Sequence, residues 1–265
     1  MRAVLTIGGS DSSAGAGVQA DQKTFAALGV YGASVVTAVT AQNTLGVSEL
    51  YALPPQIVRS QIACVAEDLS LSAVKTGMLA TGEIALAVAE TVGRFHLRNV
   101  VVDPVMAATS GGRRTLLAPD AVSILTTRIL PLATLVTPNV DEAAVLSHMR
   151  VDSLDTAREA ARRIVDLGPA AVVVKGGHLA GDTAIDLLYD GRTFTEFSAP
   201  RLPGGPIHGT GCAFASAVAA GLACGDDVPA AVDRAKRYVT GAIEHSLQIG
   251  RGARVLDHFW NAPSR

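Results

Sequence analysis

The chain has 265 residues, of which 49% are hydrophobic and 17% charged. That is too apolar and too weakly charged for a disordered protein. Lys and Arg number 22 against 24 Asp and Glu, a net charge of −2, so no basic excess drives binding to nucleic acid or to an anionic membrane surface.

The first apolar run, residues 3–7, reads as a strand and is too short for the apolar region of a signal peptide. The loop that follows holds Gly8, Gly9, Ser10, Asp11 and, further on, Gly15, Gly17 and Ala20. It matches a dinucleotide fingerprint in form, but its glycines lie well past the strand and no acid closes the second strand. A phosphate P-loop would need Gly-Lys-Ser/Thr, which the chain lacks. A compact domain uses so Gly- and Ser-rich a loop either as a plain surface connection or, more often, to approach a ligand. A helix over 15–28 and a strand over 34–41 come next. Gln42, Asn43 and Thr44 follow that strand; such a triplet can read the edge of a flat heterocycle or simply make a polar turn.

A helix over 54–68, a strand over 73–76 and a helix over 82–95 precede the apolar strand 100–103, which ends in Asp103. A carboxylate there caps a turn or binds a cation. Beyond a helix over 119–127 and a strand over 135–137, Asn139 and Glu142 stand three apart at the start of a helix over 140–146. Together with Asp103 they can form an oxygen-rich Mg²⁺ site, and the same spacing makes a capping box.

A helix over 154–167 leads into the strand 171–175. Lys175 ends that run, where a buried ammonium meets either a bound anion or a structural carboxylate. His178 closes its Lys-Gly-Gly-His motif. Strands over 185–189 and 193–198 follow. Then His208-Gly209-Thr210-Gly211-Cys212 opens a helix over 212–224, before a last helix over 229–249. The two glycines let backbone N–H groups turn toward an anion at a helix N-terminus. A cysteine there is expected to have a lowered pKa, whereas Cys64 and Cys224 read as small buried apolar residues.

Alternating strands and helices predict a three-layer α/β/α domain around a mainly parallel sheet, one domain over residues 1–265. The longest apolar stretch, 213–224, is shorter than the roughly 18 residues of a membrane span. Three cysteines without a Cys-x-x-Cys pair argue against a metal cluster or disulfide framework and for a reducing cytoplasm.

Taken in order, the loop from Gly9, Asn139 with Glu142, Lys175-Gly176-Gly177-His178 and His208 to Cys212 resemble the ribokinase superfamily. They are most similar to its hydroxymethylpyrimidine/phosphomethylpyrimidine kinase branch, over nearly the whole chain. Cys212 stands where sugar kinases have Asp, and Gln42-Asn43-Thr44 is the pyrimidine-branch pattern. One departure is the Pro-Gly-Gly-Pro run at 203–206, where more polar residues are usual.

The resemblance implies a ribokinase-like homodimer that phosphorylates an aminopyrimidine alcohol, and then its monophosphate, with ATP and Mg²⁺. Gly9, Gln42 and Asp21 would hold the pyrimidine, with Met78 and Val105 packed around it. Asp103 and Glu142 would serve the metal. Asn139 and His208 would contact the nucleotide phosphates, and Lys175 the transferring phosphoryl group. Gly209, Thr210, Gly211 and Cys212 would form the anion hole, with Cys212 as general base toward the alcohol. A pyridoxal kinase of the same branch and a non-catalytic pyrimidine-binding regulator are the alternatives. The missing acid after the second strand disfavours an NAD-dependent oxidoreductase.

Overall fold

The computed structural model describes residues 1–107, 116–177, 181–202, 205 and 207–261. His178, Pro203, Gly204 and Pro206 of the motifs above lie outside them.

Nine strands form one sheet in the order β3-β2-β1-β4-β5-β6-β7-β8-β9. The strands are β1 (Ala3–Asp11), β2 (Tyr31–Asn43), β3 (Gly46–Ala52), β4 (Leu71–Thr76), β5 (Val100–Val102), β6 (Leu135–Val136), β7 (Val172–Lys175), β8 (Thr183–Tyr189) and β9 (Phe194–Pro200). From β2 across to β7 all pairs are parallel; β3, β8 and β9 add antiparallel edges.

The parallel strands read as unbroken apolar runs because both faces are covered. Val100, Val102, Val172 and Val174 pack into one core, with Ile62, Ile84, Ala143 and Ile164. Their neighbours Val101 and Val173 point the other way, into a second core with Phe25, Val218 and Val232. The first layer holds α2 (Pro55–Asp68), α3 (Gly82–Arg94), α4 (Pro119–Ile124), α5 (Val140–Ser147) and α6 (Leu154–Val165). The second holds α1 (Gly17–Ala27), α7 (Thr210–Cys224) and α8 (Val228–Glu244). Among the described residues no helix is long and apolar enough to cross a membrane.

Several boundaries differ from expectation. α1 begins at Gly17, not residue 15, because Asp11 holds the loop before it. α4 ends at Ile124 and runs on through a π turn, Leu125–Ile129. α8 stops at Glu244, and the chain then forms β11 (Arg254–Val255), parallel to β10 (Ile207–His208). Cys64 and Cys224 are exposed, not buried: each lies on a helix face or end that no second layer covers.

β1 leads to β2 on one side, while β4 joins it on the other. The chain therefore changes direction at β1, and the crevice outside the carboxyl ends there is where open α/β sheets bind ligands.

Candidate active site

The crevice is a cleft open at its mouth, the concave form of a small-molecule site. Strand ends build it: Gly8 to Asp11 from β1, Gln42 from β2, Lys75 from β4 and Met78 just after it, Asp103 and Val105 after β5, Asn139 and Glu142 after β6, and Lys175 from β7. His208, Gly209, Gly211 and Cys212 close it from the β10–α7 turn.

One end is lined by Gly9, Gln42 and Met78. Gly9 has no side chain because a Cβ there would overlap the Met78 methyl group. Gln42 is held from two sides: its Oε1 lies 2.9 Å from Thr40 Oγ1 and its Nε2 2.9 Å from His208 Nε2. Hydrogen counting favours the flipped amide. Thr40 gives its one hydroxyl hydrogen to Ser10 O at 2.9 Å and so accepts from Gln42. His208 Nε2, 2.9 Å from Asp11 Oδ2, carries a proton and so donates toward Gln42. An amide used in this way keeps one N–H and one oxygen lone pair for a ligand.

Asp11 organises this end. Its carboxylate accepts from Ser13 N, Gly15 N and Ala16 N at 2.8 to 3.0 Å, as well as from His208. Asn43 and Thr44 do not reach the cleft: Asn43 Oδ1 accepts from Leu45 N in the β2–β3 turn, and Thr44 Oγ1 accepts from Gly252 N.

The other end gathers positive charge. Gly209, at φ 85°, turns the chain into α7, and no described side chain caps that helix; its first N–H groups carry the positive end of the helix dipole. A Cβ on Gly211 would stand 3.1 Å from Lys175 Nζ, so glycine leaves that ammonium uncovered. Lys175 donates to Asp103 Oδ1 at 3.0 Å. Asn139 and Glu142 form the capping box, with Asn139 N to Glu142 Oε2 at 2.8 Å and Glu142 N to Asn139 Oδ1 at 2.9 Å. The capping expectation for this pair is met, and the cap leaves both residues lining the cleft.

Burial pushes Glu142 up to about 7, with Lys175 pulling down and Asp103 pushing further up. Two buried carboxylates thus share one ammonium. Among the described residues no three His, Cys, Asp or Glu are grouped to hold a metal. Mg²⁺ needs no such cage, because it keeps waters and takes one or two carboxylates plus substrate phosphates. Asp103 and Glu142 fit that role.

Three expectations are corrected. Asp21 does not touch the cleft: it is fully buried, and its carboxylate is taken up by Thr6, Lys75 and Ser216. Thr210 opens α7 but is not among the residues lining the cleft. The Cys212 thiol is raised, not lowered, to about 11. Burial is the main cause; Lys75 and the Gly17 N–H favour the thiolate, while Asp103 and Asp21 oppose it. A helix terminus is worth at most about 2 kcal/mol, near 1.5 pKa units, too little to reverse a shift from 9.0 to about 11. Lys75, one residue short of the end of β4, is the charged lining residue that the motifs did not flag.

Fold and cleft together define a ribokinase-like small-molecule kinase. The chain belongs to the phosphomethylpyrimidine kinase family, whose model matches residues 11–257. A Streptomyces coelicolor hydroxymethylpyrimidine/phosphomethylpyrimidine kinase is 50% identical over 97% of this chain and 94% of its own length. The Geobacter sulfurreducens thiamine biosynthesis bifunctional protein ThiED is 48% identical over 96% of this chain, which spans only 52% of that protein. Among solved structures, a Staphylococcus aureus pyridoxal kinase in complex with AMP-PCP and pyridoxal superposes with a TM-score of 0.91 at 36% identity, covering 99% of this chain and 95% of that one.

Proposed function

We propose that this chain transfers the γ-phosphoryl group of ATP to 4-amino-5-hydroxymethyl-2-methylpyrimidine, and then a second phosphoryl group to the monophosphate, in thiamine biosynthesis. One observation carries the reading. A single cleft opposes a ring-binding end, with the oriented Gln42 amide, to an anion-binding end with Lys175 and the uncapped start of α7. The free N–H and lone pair of Gln42 match the acceptor–donor edge of an aminopyrimidine. The S. aureus relative binds pyridoxal, which makes pyridoxal phosphorylation the second reading.

Phosphoryl transfer proceeds through a loose transition state and needs positioning and charge neutralisation more than covalent help. Lys175 and the Gly211 and Cys212 N–H groups meet the transferring phosphoryl oxygens. Asn139 would face the nucleotide phosphates; His208, whose Nε2 is spent on Gln42 and Asp11, serves the ring end instead. Mg²⁺ would be held by Asp103 and Glu142 and would offset the phosphate charge. Cys212 accepts the hydroxyl proton in the first transfer; the monophosphate has no such proton to lose.

One domain carries the activity, in the cytoplasm, as a homodimer. The exposed Val39 and Tyr51, paired across β2 and β3, offer an apolar patch suited to a second copy.

Gln42→Met tests the substrate assignment. A site that hydrogen-bonds a heterocycle loses up to about 10⁴ in kcat/KM when those partners go, while the KM for ATP holds. Unchanged pyrimidine kinetics would remove Gln42 from the site. Asp103→Asn and Glu142→Gln should each raise the Mg²⁺ concentration needed for half-maximal rate without lowering the melting temperature by more than a few degrees. Mg²⁺ titrations that superimpose on the wild type would contradict the metal assignment.

A further inference from the structure

On β4, Val74 packs into one core and Ala73 into the other. Lys75 falls on the side of Ala73, where an apolar residue would be expected, and is 1% exposed. Its Nζ lies 3.0 and 2.8 Å from Asp21 Oδ1 and Oδ2. Asp21 also accepts from Thr6 Oγ1 at 2.5 Å and from Ser216 Oγ at 2.7 Å.

A buried ion pair is often no more stabilising than apolar residues of equal volume, so the stability of the sheet does not call for this one. An ammonium has three N–H groups, and the two Asp21 oxygens occupy at most two. Lys75 also lines the cleft, as Cys212 does. Gly77 permits the approach: a Cβ there would come within 2.8 Å of Nζ. Burial opposes the charge, but Asp21, Cys212 and Asp103 outweigh it and keep Lys75 protonated.

We propose that Lys75 is a second catalytic ammonium: anchored from behind by Asp21, it donates into the cleft to the acceptor oxygen of the pyrimidine substrate. That oxygen is the hydroxymethyl oxygen in the first transfer and a phosphate oxygen in the second. The assignment rests on the kinase reading above. In the first transfer the acceptor O–H bond breaks and the oxygen forms the new bond to phosphorus. The bridging P–O bond of ATP breaks, and its electron pair leaves on ADP. The proton passes to the Cys212 thiolate. Lys75 transfers nothing; its N–H meets the charge that grows on the acceptor oxygen. In the second transfer the same N–H meets charge present from the start, so one cation serves both acceptors. Lys175, paired with Asp103, serves the transferring group instead.

Lys75→Met alone would strand a buried carboxylate, so the test combines it with Asp21→Asn, which keeps partners for Thr6 and Ser216. Wild-type turnover of both acceptors is measured first; its absence would overturn the kinase reading itself. The double variant, folded by circular dichroism and binding ATP within a few-fold of wild type, is expected to lose about 10²–10³ in kcat/KM for both acceptors. A folded double variant with kcat/KM within a few-fold of wild type overturns the proposal.

A measurement on the unaltered chain covers a variant that does not fold. The chain has four lysines, Lys23, Lys75, Lys175 and Lys236. Carbon-13 labelling of their ε positions, with Lys→Arg variants at the other three for assignment, isolates the Lys75 signal. Adding the pyrimidine monophosphate without nucleotide is expected to shift it. A Lys75 signal that stays in place while the monophosphate binds overturns the proposal equally.

Discussion

Replacing Cys212 by alanine is expected to slow the first phosphoryl transfer by about 10²–10⁴-fold, the usual worth of general-base help, and to leave the second transfer within a few-fold. The asymmetry follows from the acceptors: the alcohol must lose a proton, whereas the monophosphate arrives ionised. The Cys212 thiol, raised to about 11 by burial, also sets a pH dependence. The active form is the thiolate, and below pH 11 its fraction grows about tenfold per pH unit. Lys75, Asp103 and Asp21 are the charges that bear on this thiol. Glu142, held near 7, loses its proton in both proteins; above pH 8, single-turnover rates of the first transfer should therefore keep climbing in the wild type and level off in Cys212→Ala. Equal losses in both transfers, or the same pH profile in both proteins, would point to a packing role for Cys212 instead.

Lys175→Met is expected to lower kcat for both acceptors alike, by about 10²–10³, the cost of one preorganised donor at a developing anion. Lys175 lies where a Gly211 side chain would press on it, at the start of α7, and pairs with Asp103. It therefore faces the group that both transfers share. Steady-state kinetics with each acceptor separate the two variants: Cys212→Ala divides the half-reactions, and Lys175→Met does not. A loss confined to the acceptor KM would move Lys175 away from the transferring group.

The sheet and most of its helices were legible because the parallel strands are apolar throughout and the helices carry caps such as Ser153 and Asn139. β3 was not expected, since its alternation follows directly on a polar triplet that read as a turn. β10 and β11 are two residues each, too short to leave a pattern. In the site, Asp103 and Lys175 were found because a charge closing an apolar run is conspicuous, whereas Lys75 stands one residue inside the end of β4 and was not. The direction of the Asp21 side chain could not be read: position on a helix does not say whether a carboxylate faces the cleft or a buried lysine. The raised Cys212 thiol was hidden for a related reason. The helix N-terminus is written in the local sequence, but the burial that outweighs it comes from α1, β4 and β5, distant in the chain.

The central claim is that this cleft phosphorylates a pyrimidine alcohol and then its monophosphate. The most direct measurement is kcat/KM for ADP release from ATP with three acceptors in turn: hydroxymethylpyrimidine, its monophosphate and pyridoxal. The account predicts turnover of both pyrimidines, with hydroxymethylpyrimidine preferred to pyridoxal and the diphosphate as final product. Turnover of pyridoxal alone, or of none of the three, would contradict it.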